Sequence, residues 1–354
     1  MKHSDILIIG GGIAGIALAG RLAGHARVVL LERENALSSH TTGRSAAIFS
    51  EAYPIEEARR EVRQRTRESR EFFEHPPAGF AARALLTRRP TMYVSRPEST
   101  GRIAELLANS PDITRPLSAP EARRLMPILR VGEFTAFAEE PASADIDVGA
   151  LFDGFRRQAL HGGVEILKNQ EVVALSFEPS GWTVLTGTER FMARILVDAA
   201  GAWAGKIGLM AGLGDRGLSP LRRTAVLIDP PVGLDVSTWH HIDDVADVFY
   251  FKPEAGLILA SPNDETPSEP CDAQPEDIDV ATVAYEIERA TTLTVSRIRR
   301  RWAGLRTFTP SRTPLVEFDE EADGFFWLAG LGGFGIQTAP SISSRAAAMI
   351  LDRL

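Results

Sequence analysis

The chain has a single cysteine, Cys271, among 354 residues. An internal disulfide and a cysteine metal cluster are therefore excluded, and a reducing compartment fits. Basic residues are in deficit: 39 Lys and Arg face 47 Asp and Glu, a net charge of −8. That argues against a partner held through nucleic-acid phosphates. No apolar run makes a membrane span. The most apolar N-terminal stretch, residues 6–20, is broken by five glycines and lacks the basic region and cleavage site of a signal peptide. The cytoplasm is the expected location. Repeats and low-complexity tracts are absent. What remains is an ordinary folded composition, 44% apolar and 24% charged, at roughly twice a common single-domain length, so two domains are expected.

The clearest local pattern lies near the start. Ile6-Leu7-Ile8-Ile9 is a short apolar run suited to a strand buried on both faces. Gly10-Gly11-Gly12 interrupts it. Small and apolar residues then recur at helical spacing over 13–23, and 27–32 reads as a second strand, a strand–helix–strand unit of ~30 residues. Residues 54–74, dense in Arg and Glu, are expected to form a helix with a solvated, ion-paired face. Further on, 91–94, 164–167, 171–177, 182–186 and 191–198 read as strands, and 118–126 and 148–160 as helices. Residues 218–229 and 248–260 are further strand candidates. Residues 263–279 form an acidic, proline-rich surface loop whose role as a lid is open, and 280–293 and 340–354 read as helices. Sheet-like and glycine-rich signals return at 195–201 and 327–335. One domain assembled from separated pieces around a second explains that return.

Gly10-Gly11-Gly12-Ile13-Ala14-Gly15 satisfies G-x-G-x-x-G. Gly10 permits a tight turn, Gly12 lets the backbone approach a pyrophosphate, and Gly15 lets the helix pack close to the sheet. Glu32, at the end of the next strand, is placed to accept hydrogen bonds from ribose hydroxyls. The three features together point to a dinucleotide. The run Thr41, Thr42, Gly43, Arg44, Ser45, Ala46 and Ala47 lies just beyond, where a long flavin cofactor would continue from its pyrophosphate. Far along the chain, Gly332, Gly333, Phe334, Gly335, Ile336, Gln337 and Thr338 precede the last helix, whose N-terminus can stabilise negative charge on a reduced flavin.

These segments, with Glu32-Arg33, Ala144-Asp145-Ile146-Asp147 and Asp198-Ala199-Ala200-Gly201-Ala202-Trp203, resemble the FAD-dependent amino-acid oxidoreductases of the D-amino acid oxidase type. The resemblance runs over nearly the whole chain and is strongest to the D-arginine dehydrogenases among them. It implies an α/β fold: a Rossmann-like FAD domain over 1–86, 146–217 and 306–354, and a discontinuous substrate domain over 87–145 and 218–305 with a mostly antiparallel sheet. It implies non-covalent FAD, with Val172, Ala200, Gly201 and Trp203 joining the glycine-rich segments around it. The implied chemistry is hydride transfer from the α-carbon of a D-amino acid to flavin N5, then hydrolysis of the imine to a 2-oxo acid and ammonia. The electron acceptor (oxygen, a quinone or another) is left open.

For the substrate, the resemblance implies a carboxylate-binding role for Arg306 and a second polar contact from Arg223. Period-two alternation turns the adjacent Arg222 to the other face, expected to be solvent. Tyr53 and Tyr250 are the implied hydroxyl donors, and Gly333 the backbone acceptor for the amino group. Two positions depart from the D-arginine dehydrogenase pattern: Thr91 replaces an acidic residue facing the substrate side chain, and Ile48 replaces a histidine near the flavin. A more apolar pocket and a neutral or apolar D-amino acid are therefore expected. The rivals are oxidation of an N-methyl or cyclic amino acid and a non-catalytic flavin subunit of an electron-transfer complex. His240-His241 beside Asp243 and Asp244 is expected to be a solvated turn with no metal, because no ligand spacing supports one.

Overall fold

The computed structural model describes residues 1–56 and 59–354. An eight-stranded sheet is built around the strand Lys2–Ile9, which pairs in parallel with Val28–Leu31 on one side and Arg190–Asp198 on the other. Its apolar run is buried on both faces. Ile6 and Ile8 pack beneath the helix Ile13–Leu22, while Leu7 and Ile9 meet Trp182 and Trp327. The strand Phe325–Ala329 joins this sheet in parallel through Asp198 and Trp327. The opening and the late part of the chain are thereby brought together.

The turn at Gly10 has φ +111°, and a side chain there would strike the backbone of Ala199. A Cβ on Gly15 would overlap the Gly10 carbonyl oxygen, so glycine at 15 sets how closely the helix sits on the turn. The last helix runs Gly335–Leu351 and packs on Ile13–Leu22. It begins at Gly335 rather than near 340. Pro340, where the helix was expected to start, lies inside it and removes one intrahelical donor. Thr338 donates back to the Phe334 carbonyl at 2.8 Å, so 335–338 form the first turn.

A second, nine-stranded sheet carries the substrate side. Its order is Thr266–Pro267, Ser219–Ile228, Leu257–Ser261, Tyr250–Glu254, His241–Asp244, Thr91–Ser95, Ala136–Glu140 and Arg115–Leu117, with Ile298–Phe308 also paired along Ser219–Ile228. Every pair is antiparallel except His241–Asp244 with Thr91–Ser95. Alternation sorts its residues. Met92, Val226, Ile242, Phe251 and Ala260 face a core shared with Val283 and Ile287 of the helix Asp277–Ala290. Their neighbours along each strand face the other way, toward the glycine-rich segments.

Several expectations change here. Residues 241–244 are not a solvated turn but an internal, buried strand. Residues 248–260 are two strands joined by a tight turn at Ala255 and Gly256, both at positive φ. The long strand Ile298–Phe308 and the helix Thr100–Asn109 were not anticipated. The helix expected over 54–74 is Arg60–Glu74, and residues 57 and 58 lie outside the described residues. Its face is only partly solvated, since Arg63 is buried and donates to the carbonyls of Pro54, Ile55 and Glu56. The expected domain changeovers at 86/87, 145/146 and 305/306 fall inside strands.

Candidate active site

Two cavities share Gly12, Thr41, Thr42 and Gly201, forming one continuous slot along the end of the first sheet. One half is lined by Gly10, Glu32, Arg33, Val172, Ala200 and Trp203. The Glu32 carboxylate is fixed by backbone donors: Gly11 N–H reaches Oε2 and Glu34 N–H reaches Oε1, both at 2.9 Å. The Arg33 guanidinium lies over the Trp203 ring, 4.2 Å from its centroid. Thr42 Oγ1 accepts from Ile13 N–H at 3.0 Å, meeting one of the orphan donors of the helix start.

The other half is lined by Ile13, Ala14, Ser45, Ala46, Gly332, Gly335 and Ile336, and by Arg44. Arg44 donates to the carbonyls of Ala273 (3.0 Å) and Ala303 (2.9 Å) and pairs with Asp272. Thr41 donates to the Leu305 carbonyl at 2.6 Å. The segment 263–279 is thus tied to the slot at one end. At the other, Asn263 and Glu265 hold Arg223.

This half opens into a cavity lined by Ala47, Ile48, Tyr53, Tyr250, Arg306 and Gly333, and also by Phe334 and Gln337. Arg223 and Arg306 stand on paired strands and face the same way. Arg223 is 8% exposed, and burial, with the Arg306 charge beside it, holds its pKa below the usual range. The Tyr53 hydroxyl donates to Asp247 at 2.6 Å. Burial and the carboxylates of Asp247 and Asp243 push its pKa well above the ordinary value, so it remains a donor.

The comparisons with known proteins bear on this arrangement. Residues 5–349 match the DAO family model, described as FAD dependent oxidoreductase. The chain belongs to that family. It is therefore an FAD-dependent oxidoreductase. It is 26% identical over 250 residues to the uncharacterized oxidoreductase YurR of Bacillus subtilis, an alignment covering 68% of this chain and 64% of that protein. In fold it resembles glycine oxidase of Geobacillus kaustophilus, with a TM-score of 0.86 at 19% identity, covering 100% of this chain and 95% of that one. It also resembles L-proline dehydrogenase of P. horikoshii, with a TM-score of 0.84 at 22% identity, covering 99% and 93%.

The slot fits the cofactor of a DAO-family enzyme. It offers a helix N-terminus with no side-chain cap from Gly12 and a carboxylate at the second strand's end. Its far wall is left open by glycines: a Cβ on Gly332 would strike Phe308, and one on Gly333 would crowd the Arg306 guanidinium. Gly15 supports the slot from beneath. Gly43 sits on its outer side against the Ser38 carbonyl. Thr338 is buried behind it.

Three substrate expectations are corrected. Thr91 does not line the cavity; its hydroxyl lies 2.9 Å from Ser143 Oγ and 3.3 Å from His241 Nδ1. Arg222 does turn to the opposite face from Arg223, but not into solvent. It is packed among Asp264, Glu276 and Asp279. The cavity is also less apolar than expected, because His241, Asp243 and Asn263 line it. Burial, reinforced by Lys252, drops the His241 pKa to about 3, so that ring is neutral at any working pH. His241 and Asp243 were missed because a polar four-residue strand reads as a turn, and only the sheet shows which face it presents; Asn263 was missed because it opens a stretch read as a surface loop.

Among the described residues no helix is long and apolar enough to cross a membrane.

Proposed function

We propose that this enzyme oxidatively deaminates a D-amino acid to the 2-oxo acid and ammonia, with FAD held non-covalently. Two guanidiniums carry the reading: Arg306 and Arg223, on one sheet face, at a cavity that opens onto Gly332 and Gly333. A planar guanidinium binds a carboxylate through two parallel hydrogen bonds, and Arg306 has no ion-pair partner among the described residues. Tyr250 and Tyr53 close the cavity around the bound head group. The Gly333 backbone carbonyl is the acceptor assigned to the amino group.

FAD, held along the slot lined by Gly12, Glu32, Thr42 and Gly332, would supply the two-electron acceptor for oxidation of the substrate's C–N single bond to C=N. The chain's part is to fix the carboxylate, aim the amine and exclude competing reactions. The imino acid then takes up water and releases ammonia. The D configuration and the primary amine rest on the motif resemblance.

Anaerobic mixing with both enantiomers of an amino-acid panel tests this by loss of the oxidised flavin absorbance. Bleaching by D-enantiomers is expected. Bleaching by sarcosine or proline alone would select the secondary-amine alternative. Failure with every amine would leave a non-catalytic flavin subunit. Repeating the panel in air reads the reactivity with oxygen.

A further inference from the structure

Among the described residues, Asp243 is the only acidic side chain lining the substrate cavity. Its strand, His241–Asp244, is internal to the nine-stranded sheet. Period two sends Ile242 into the apolar core and turns His241 and Asp243 to the cavity. Asp243 is 8% exposed. No hydrogen bond or ion pair reaches its carboxyl among the described residues.

Among the described residues none of the donors around it bonds to it, and this includes Arg306 and Tyr250, which line the same cavity. From the neighbouring strands, Tyr93 bonds Ser50 (2.8 Å) and Glu140 (3.0 Å), and Tyr250 packs its ring against His241. Tyr53 is taken by Asp247, and Arg223 by Asn263 and Glu265. A buried carboxyl with no donor is costly unless a ligand supplies one. The cavity is therefore bipolar. It has guanidiniums beside Gly333 and a carboxyl, with Asp247 behind it, on the sheet wall.

We propose that Asp243 determines specificity, selecting an amino acid whose side chain ends in a cation, an amine or a guanidine. This rests on the reading of Arg306 as the carboxylate anchor. The acid that Thr91 replaces in the family pattern thus has a counterpart two residues along the neighbouring strand, where Asp243 lies opposite Tyr93.

The proton inventory gives a second signature. Burial, with Asp247 and Asp244 nearby, holds the Asp243 carboxyl well above the carboxylate range, against the pull of Arg223 and Arg306. A cationic side chain binds the ionised form and must displace that proton. KM for a basic substrate should fall as pH rises through the Asp243 pKa, and KM for a neutral one should lack that step.

The test compares D-lysine and D-arginine with D-leucine and D-methionine in the holoenzyme, across pH, for wild type, D243N and D243E. The expected ratio of kcat/KM, basic over neutral, is at least ~100-fold in wild type. It should collapse to within a few-fold in D243N and persist in D243E. A wild-type preference for neutral side chains, or a ratio that D243N leaves in place, overturns the proposal while the deamination reading stands. If no amino acid bleaches the flavin, both fall. The wild-type ratio and its pH step need no variant, so a misfolded D243N does not shield the proposal.

Discussion

Arg223 lies opposite Gly304, and Arg306 lies opposite Leu221, so the two guanidiniums share a face two residues apart on paired strands. Two like charges at that spacing raise each other's cost. Asn263 and Glu265 steady one of them, and Arg306 has no ion-pair partner among the described residues.

Arg306 should therefore be sensitive to geometry as well as charge. R306K keeps the charge and loses the fork. We expect kcat/KM to fall ~100-fold or more for both R306A and R306K, mainly through KM, with FAD retained. Steady-state kinetics beside the flavin spectrum check this. Full activity in R306K would remove the bidentate role.

Gly15 should control cofactor retention. G15A puts a methyl into the Gly10 carbonyl, and the turn must move. Purified G15A is expected to carry little FAD and to bind it at least tenfold more weakly, read by titration of apoprotein with FAD.

Tyr53→Phe removes the donor to Asp247. A hydrogen bond to a charged acceptor contributes ~1.5–3 kcal/mol, and water reaches the half-exposed Asp247, so the lower end applies. The expected result is a loss of about 1.5 kcal/mol in chemical denaturation, with a modest rise in KM.

Asp198 is fully buried, with Oδ1 accepting from Ala200 N–H at 3.1 Å and Oδ2 unpartnered. Burial raises its pKa to about 8. The folded state thus holds a proton that the unfolded state releases near pH 4. Stability is lost as pH rises through that window, and the penalty is complete above pH 8. D198N should flatten this slope and gain a few kcal/mol at pH 9 relative to wild type, with the difference vanishing near pH 4. Thermal melts across pH 4–9 measure it.

The cofactor side was legible because its signals are local. An apolar run, a glycine-rich turn and Glu32 lie within one strand–helix–strand unit. The substrate side was less so. His241-Ile242-Asp243-Asp244 has three polar residues in four, which reads as a turn until both flanking strands are in place. Ile298–Phe308 opens with three arginines, exposed along its first half, and only its second half is buried. Thr91 stands on the right strand yet bonds back to Ser143, an orientation that spacing along the chain does not encode.

The pairing of Phe325–Ala329 with Arg190–Asp198 has a consequence for biosynthesis. The wall that Gly332 and Gly333 contribute cannot exist while the ribosome is still translating the preceding three hundred or so codons. A nascent chain can fold its opening unit early, but it has no complete berth for the prosthetic group. Cofactor retention therefore requires the chain through Gly335, and a polypeptide truncated before Phe325 should purify colourless.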